Sequence, residues 1–188
     1  MQKKILFLSA TLALINVAHA GAAFGSCAKV ELQQNFDATR YVGTWFEQVR
    51  DKSLPFEKYD CQQAIYSLQG EGLLVHNTQY NPTSGLVEEA YANATCKGAA
   101  CEVKFNWYSP AGDYRVLDTD YENYSLVYSC TNIFGLSKFH FVWLLTRKPE
   151  LTADITKKVT DVLKARVSDY EFSNFHVTKQ LGDCKYIQ

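Results

Sequence analysis

Three short motifs contain the residue types that could close one end of a small β-barrel. Gly43 stands two positions before Trp45 at the start of a strand-like run, Thr119-Asp120-Tyr121 lies further along the chain, and Arg147 follows the last such run. A tryptophan that enters a strand just after a glycine can turn its indole into a barrel, where a guanidinium can lie flat on the ring. The motifs therefore predict a barrel closed at one end and hollow at the other. For Gly43 and Trp45 alone, an ordinary turn and core residue is the alternative.

The chain around these motifs is predicted to be all-β. Short runs of alternating polar and apolar residues are separated by turns rich in glycine, proline and asparagine, which is typical of an antiparallel meander. The predicted strands cover residues 44–49, 61–68, 73–80, 86–94, 101–108, 114–118, 124–129 and 139–146. Eight strands close an up-and-down barrel with room inside for side chains or one small ligand.

The pattern changes after the last of these strands. Residues 152–167 place Ile155, Val159 and Leu163 at helical spacing, which predicts one amphipathic C-terminal helix packed on the outside of the barrel. A short strand is expected over residues 175–178. The longest connection within the strand region, residues 50–60, is interpreted either as a lid over the open end or as an idle loop.

Composition and charge limit the classes of protein that this chain can be. Residues 1–20 have the basic start, apolar stretch and small-x-small end of a secretory signal peptide, so residues 21–188 are predicted to be a single secreted, extracellular domain. Without Lys3 and Lys4 the basic residues number 17 against 20 acidic ones, a net charge near −3. This mild charge, without a basic stripe, predicts no nucleic-acid partner. No later stretch is long and apolar enough to predict a transmembrane segment.

All six cysteines lie after the predicted signal peptide, which favours a disulfide framework. Their number alone allows fifteen pairings, and Cys96 with Cys101 could close a local loop. Ligand spacings of the C-x-x-C type are lacking, so no metal is predicted. Two glycosylation acceptors are expected at Asn93 and Asn123, each in an N-x-S/T triplet.

Side-chain alternation predicts which residues line the barrel. On the fifth strand Phe105 and Trp107 share one face, and on the eighth Phe141 and Trp143 do so. A solid core is the alternative for any single aromatic residue. Several aromatic faces turned inward together are more typical of an apolar pocket that carries a few polar groups. The candidate ligand-binding residues are Val49, Tyr66, Asn77, Phe105, Trp107, Tyr128, Phe141 and Trp143.

The motifs and their surroundings resemble the lipocalin family. The first motif covers residues 35–37, Tyr41 and residues 43–47, and the third covers residues 143–147. Residues 103–107 and 117–130 are similar to the apolipoprotein D-like branch of that family and to its insect relatives, some of which bind bilins. The resemblance extends from Cys27 to Cys184, nearly the whole chain after the signal peptide. It implies a lipocalin barrel with a ligand held near Tyr66, Asn77, Phe105 and Trp143.

The resemblance also implies a disulfide pairing. It joins Cys27 to Cys130 and Cys61 to Cys184, so that each bridge staples a terminal segment to the barrel. With these two in place, Cys96 pairs with Cys101, and this third pair departs from the family pattern.

Three functions are compatible with the sequence. The leading hypothesis is a secreted carrier for one small hydrophobic ligand, such as a fatty acid, a sterol or a retinoid, with no required cofactor and no catalytic residue. The second is a chromoprotein that binds a bilin or carotenoid. The third is an enzyme, since one lipocalin branch isomerises prostaglandins with a thiol; this needs a free cysteine, for which no candidate remains. A second copy of the chain or a receptor is left open as a partner.

Overall fold

Eight antiparallel strands close into a barrel in the computed structural model, which describes residues 22–187. A short strand β1 (Ala22–Phe24) precedes the barrel strands, which are β2 (Gly43–Asp51), β3 (Gln63–Gln69), β4 (Gly72–Asn81), β5 (Leu86–Lys97), β6 (Ala100–Lys104), β7 (Gly112–Thr119), β8 (Tyr124–Ile133) and β9 (Ser137–Thr146). Each barrel strand pairs with the next, and β9 pairs with β2 to complete the ring. The predicted eight-stranded up-and-down barrel is confirmed.

Two short strands extend the sheet beside the point of closure. β1, which the sequence pattern did not reveal, pairs with β9. β10 (Phe175–Val177), expected from the sequence, pairs with β2. A four-residue helix α1 (Ala38–Tyr41) precedes β2 and lies at the closed end. The predicted signal peptide lies outside the described residues.

The amphipathic helix α2 (Ala153–Arg166) packs outside the barrel, as predicted. It begins after Thr152, whose hydroxyl accepts a hydrogen bond from the backbone N–H of Ile155 at 3.3 Å and so caps the first turn. Val159 and Leu163 are buried in one apolar cluster with Leu126 of the barrel wall. The helix therefore buries part of the outer face of the barrel in an apolar contact.

Two disulfides join the terminal segments to the barrel, and a third links the neighbouring barrel strands β5 and β6. Cys27 is bonded to Cys130, Cys61 to Cys184, and Cys96 to Cys101. The first two are the pairs that the resemblance implied, and the third is the pair that remained once these were assigned. The first two span 103 and 123 residues of sequence, so they fix the segments before β2 and after β10.

The described part of the chain lacks both a membrane-spanning helix and a metal cluster. Within residues 22–187 no helix combines the length and apolar character needed to cross a bilayer. The same residues contain no group of three or more His, Cys, Asp or Glu side chains placed to hold a metal ion.

Candidate ligand-binding site

The closed end of the barrel is built around Trp45. Its indole is fully buried, and its Nε1 donates a hydrogen bond to the carbonyl oxygen of Tyr41 at 2.9 Å. The Arg147 guanidinium lies 3.7 Å from the centre of the indole ring, a cation–π contact. Gly43 has φ +95°, and a Cβ there would stand 3.3 Å from Nη1 of Arg147. Glycine is thus the residue that lets the chain turn into β2 beneath the arginine.

The Thr119-Asp120-Tyr121 motif forms the loop between β7 and β8 at this same end. The Thr119 hydroxyl donates to the carbonyl oxygen of Tyr124 at 2.6 Å and accepts from the N–H of Tyr121 at 3.0 Å. Asp120 accepts hydrogen bonds from the backbone N–H groups of residues 122–124. Although burial raises the pKa of Asp120, hydrogen bonds from Asn123 and this loop outweigh it and leave the pKa lowered. The motif therefore shapes the closed end and lies apart from the cavity.

A cavity occupies the other half of the barrel. One compartment has a volume of 310 Å³, and a second of 490 Å³ adjoins it under the loop between β6 and β7. The apolar lining of the first compartment includes residues of β3, β4, β6 and β9 and the residue that follows β6; they are Ala64, Val75, Val103, Phe105, Phe141, Trp143 and Leu145. The volume is in the range of small-molecule binding sites, which are lined mainly by apolar side chains with a few polar groups.

A row of hydroxyl groups forms the polar floor of the cavity. Tyr66 and Tyr114 both line it, and their hydroxyl oxygens are 2.9 Å apart. The Tyr114 hydroxyl also lies 2.9 Å from that of Tyr41, which in turn lies 2.7 Å from Oγ of Ser125. Burial raises the pKa of Tyr41 to about 12 and holds the pKa values of Tyr66 and Tyr114 well above the usual range. The floor is therefore neutral and hydrogen-bonding.

Carboxyl groups stand nearer the open end. Glu57, from the loop between β2 and β3, accepts a hydrogen bond from Nε1 of Trp143 at 2.9 Å. Burial, and then the neighbouring Glu47, raise the pKa of Glu57 well above its usual range. Burial also raises the pKa of Glu47, although Arg50, 2.9 Å away, opposes that shift. The long loop is thus fastened to the cavity wall at Trp143.

Five of the eight candidate ligand-binding residues line this cavity. They are Tyr66, Asn77, Phe105, Phe141 and Trp143. They come from three strands and from the residue that follows β6, so alternation placed most of the wall correctly. The other three, Val49, Trp107 and Tyr128, do not line it.

Trp107 was predicted to point inward because the fifth strand was expected to continue to residue 108, with side chains alternating along it. β6 ends at Lys104, and the side chain of Asn106 accepts a hydrogen bond from the N–H of Ser109 at 2.8 Å, which closes a turn. Trp107 lies in this turn and is 85% exposed. Once the backbone leaves the extended conformation, residue parity no longer reports the direction of a side chain.

Tyr128 and Val49 face the outer apolar cluster. On β8, Ser129 lines the cavity, so its neighbour Tyr128 points outward and is fully buried in the cluster that includes helix α2. Tyr128 was expected to line the barrel, but helix α2 covers this part of the outer face and makes it apolar, so a buried aromatic residue fits there too. Alternation from Trp45 would also turn Val49 inward, but a bulge between Glu47 and Val49 shifts the register.

The sequence analysis did not identify the polar residues of the cavity other than Tyr66 and Asn77. Tyr114 was expected at the start of a strand, but nothing marked it as a cavity residue. Glu57 stands within the segment interpreted as a lid, and its position beside Pro55 and Phe56 gave no sign of the contact with Trp143. Such contacts join residues far apart in sequence, so local patterns carry no signal for them.

Both predicted glycosylation acceptors are at the surface. Asn93 is exposed on β5, and Asn123 is exposed in the loop at the closed end. The Asn123 amide nitrogen donates to Asp120 at 2.8 Å, so only one of its two N–H bonds is engaged. Glycan attachment at either residue stays a prediction.

Comparison with known proteins identifies the family. The sequence model of the lipocalin / cytosolic fatty-acid binding protein family matches residues 42–180. This chain belongs to the lipocalin family. It is 36% identical over 184 residues to apolipoprotein D of Bos taurus, with 95% of this chain and 96% of that protein covered. It is 28% identical over 173 residues to the Lazarillo protein of Schistocerca americana, with 87% and 80% covered. The apolipoprotein D-like resemblance is confirmed.

The fold of this lipocalin is also that of solved structures. Lobster apocrustacyanin A1 superposes with a TM-score of 0.76 at 23% sequence identity, over 87% of this chain and 93% of that one. At this identity the likeness concerns the fold alone. The family supports a carrier of small hydrophobic ligands and leaves the ligand open.

Proposed function

We propose that this lipocalin is a secreted carrier that holds one small hydrophobic molecule, such as a fatty acid, a sterol or a retinoid, inside its barrel. The observation that supports this function is the cavity of 310 Å³ between the tyrosine floor and the loop fastened at Trp143. Burying roughly 300 Å² of apolar ligand surface contributes about 7 kcal/mol before association costs are subtracted, so apolar burial supplies most of the gross binding free energy and larger ligands should bind more tightly. Holding a ligand in this way needs no catalytic group.

Secretion is part of the proposal. The predicted signal peptide and three disulfides fit an oxidising compartment, where such bonds form and persist. Expression with the leader, followed by detection of a chain that begins near Gly21 in the medium, tests this. A chain that keeps residues 1–20 and stays inside the cell would contradict it.

The carrier function can be tested with the hydrocarbon fluorophore diphenylhexatriene. We expect saturable binding of one molecule per chain. Ala64 lines the cavity, so Ala64→Trp fills it and is expected to weaken binding by at least about tenfold. Trp107→Ala is the matched control, because it removes an exposed aromatic residue outside the cavity, and it should leave affinity within about twofold.

The outcome that opposes the proposal is specific. Ala64→Trp must first retain the near-ultraviolet circular dichroism of the folded protein. If this folded variant binds diphenylhexatriene as well as the native protein does, the ligand does not occupy the barrel.

A pigment is the second candidate ligand. The second compartment of 490 Å³ enlarges the space beyond what a short lipid needs, and Asn77 and Tyr66 offer polar contacts for the ends of a bilin or carotenoid. Protein purified from its natural source would then absorb visible light. A colourless preparation supports the lipid carrier instead.

An enzyme of the thiol type is not favoured. All six cysteines are bonded in three disulfides, so no thiol is left to act as a nucleophile unless a bridge is reduced. A thiol assay on the denatured, unreduced protein tests this, and a free sulfhydryl would revive the enzyme hypothesis.

A further inference from the structure

Within residues 22–187, the cavity lining contains acidic side chains and no basic one. The lining of the two compartments includes the acidic residues Glu47, Glu57, Glu88, Glu89 and Asp113, of which Glu89 is hydrogen-bonded to His76 and Asp113 to Arg115. None of the described residues that line either compartment is a lysine, an arginine or a histidine. A ligand that enters the cavity therefore meets several acids and no base.

The nearest cations are already paired with these acids. Arg50 lies 2.9 Å from Glu47 and also donates to the hydroxyl of Thr178. Arg115 lies 2.9 Å from Asp113. Using either arginine for a ligand carboxylate would leave its present carboxyl partner without a counter-charge. For the buried Arg50–Glu47 pair this is costly, because the remaining charge stays desolvated, whereas the Arg115–Asp113 pair is partly exposed and costs less to break.

Asn77 supplies the second observation. Its side chain lines both compartments from β4, and its Oδ1 is buried without a hydrogen-bond partner among the described residues. A buried polar atom without a partner costs free energy, which a ligand that supplies a donor would recover. A hydroxyl group can donate to this oxygen, whereas an ionised carboxylate has no proton to donate.

We propose that this cavity selects neutral lipids that carry a hydroxyl group over carboxylates with the same carbon skeleton, and that Asn77 Oδ1 accepts the proton of that hydroxyl. The inference rests on the proposed carrier function and narrows its ligand class. Among the ligands considered above it favours alcohols over ionised fatty acids. The apolar walls hold the carbon skeleton, and a carboxylate finds no counter-charge among the described lining residues.

The test uses 1-dodecanol and dodecanoate as a matched pair that displaces bound diphenylhexatriene at neutral pH. We expect dodecanol to bind at least about tenfold more tightly than dodecanoate. Equal affinity, or tighter binding of dodecanoate, would overturn the selectivity. If diphenylhexatriene itself does not bind, the carrier function fails instead, so the two failures are distinguishable.

Two variants locate the cause of the selectivity. Thr131 lines the cavity and is exposed to solvent, so Thr131→Lys adds an ammonium group there without burying it. We expect Thr131→Lys to bind dodecanoate about fivefold or more tightly than the neutral control Thr131→Gln does. Asn77→Leu should lower the affinity for dodecanol relative to that for diphenylhexatriene by about fivefold. If Thr131→Lys binds dodecanoate no more tightly than Thr131→Gln does, the missing counter-charge is not the cause, and if Asn77→Leu leaves the ratio of the dodecanol and diphenylhexatriene affinities unchanged, Asn77 is not the acceptor.

Discussion

Removing the Arg147 guanidinium should destabilise the closed end more than any other single surface change there. Its nitrogens donate to the carbonyl oxygens of Tyr121 at 2.9 Å, Thr44 at 3.0 Å and Arg40 at 3.0 Å, and the group covers the ring of Trp45. Two of these hydrogen bonds are partly buried and are worth roughly 1.5 kcal/mol each. The exposed bond and the cation–π contact contribute about 1 kcal/mol more.

We therefore expect Arg147→Met, which keeps the length of the side chain, to lower the free energy of unfolding by about 4 kcal/mol. Arg147→Lys keeps the charge but cannot donate to three carbonyl oxygens at once, so it should lower the free energy of unfolding by about half as much as Arg147→Met does. Urea unfolding followed by tryptophan fluorescence measures both changes.

Arg40→Met is the control for Arg147→Met at the same end of the barrel. The Arg40 side chain is about half exposed; it makes a 3.5 Å ion pair with the exposed Glu122 and a cation–π contact with Tyr121, so its removal should cost about 1 kcal/mol. If Arg147→Met costs no more than Arg40→Met, then the guanidinium does not hold the closed end together. The reasoning from its three carbonyl partners would then be refuted.

Three further predictions follow from buried groups. Because the folded-state pKa of Glu57 is raised, its contribution to stability is fully present below the pKa of the unfolded chain and is lost as pH rises through the folded pKa. Glu57→Gln should thus gain stability relative to the native protein as pH rises between these two pKa values, by up to about 1.4 kcal/mol per pH unit. Urea unfolding measures the stability of both proteins across this range. A stability difference that does not change with pH would contradict the prediction. Replacing Cys27 and Cys130 by serine should lower the free energy of unfolding by about 4 to 5 kcal/mol, since their bridge closes a loop of roughly a hundred residues. Thermal unfolding measures this loss, provided that the variant still unfolds in one cooperative transition. Tyr128→Phe removes a buried hydroxyl that has no partner among the described residues, so it should be neutral or stabilising. Tyr41→Phe deletes two hydrogen bonds and should lower the free energy of unfolding by about 1 to 2 kcal/mol. If urea unfolding shows that Tyr128→Phe is the more destabilising of the two, both assignments are wrong.

The sequence predicted the barrel well because its signals are local. Alternation and turn residues indicated eight strands, and helical spacing indicated α2 to within one residue at each end. Errors arose where the backbone departs from regular geometry. The turn after Lys104 exposes Trp107, and the bulge near Glu47 redirects Val49. Neither departure has a clear sequence signature, since both depend on how neighbouring strands pair.

The cavity was predictable only in part for the same reason. Inward aromatic residues such as Phe141 and Trp143 follow from parity along one strand. The partner of Trp143 is Glu57, which is 86 residues away in sequence and is brought there by a loop. Tyr128 shows the converse limit, because alternation separates two faces of a strand but does not say which one a helix will cover.

The sequence by itself determined the family, the eight-stranded barrel, the closing motif at Trp45 and Arg147, and the outer helix, because these depend on residue periodicity and on motifs that are contiguous in the chain. Tertiary structure alone decided which face of each strand is the cavity wall, that the wall carries acids without a facing base, and that Asn77 Oδ1 is left without a partner among the described residues. These properties arise from side chains that meet only when distant strands close into a ring. The burial of these side chains, and with it the pKa values of the acids, depends on that closure.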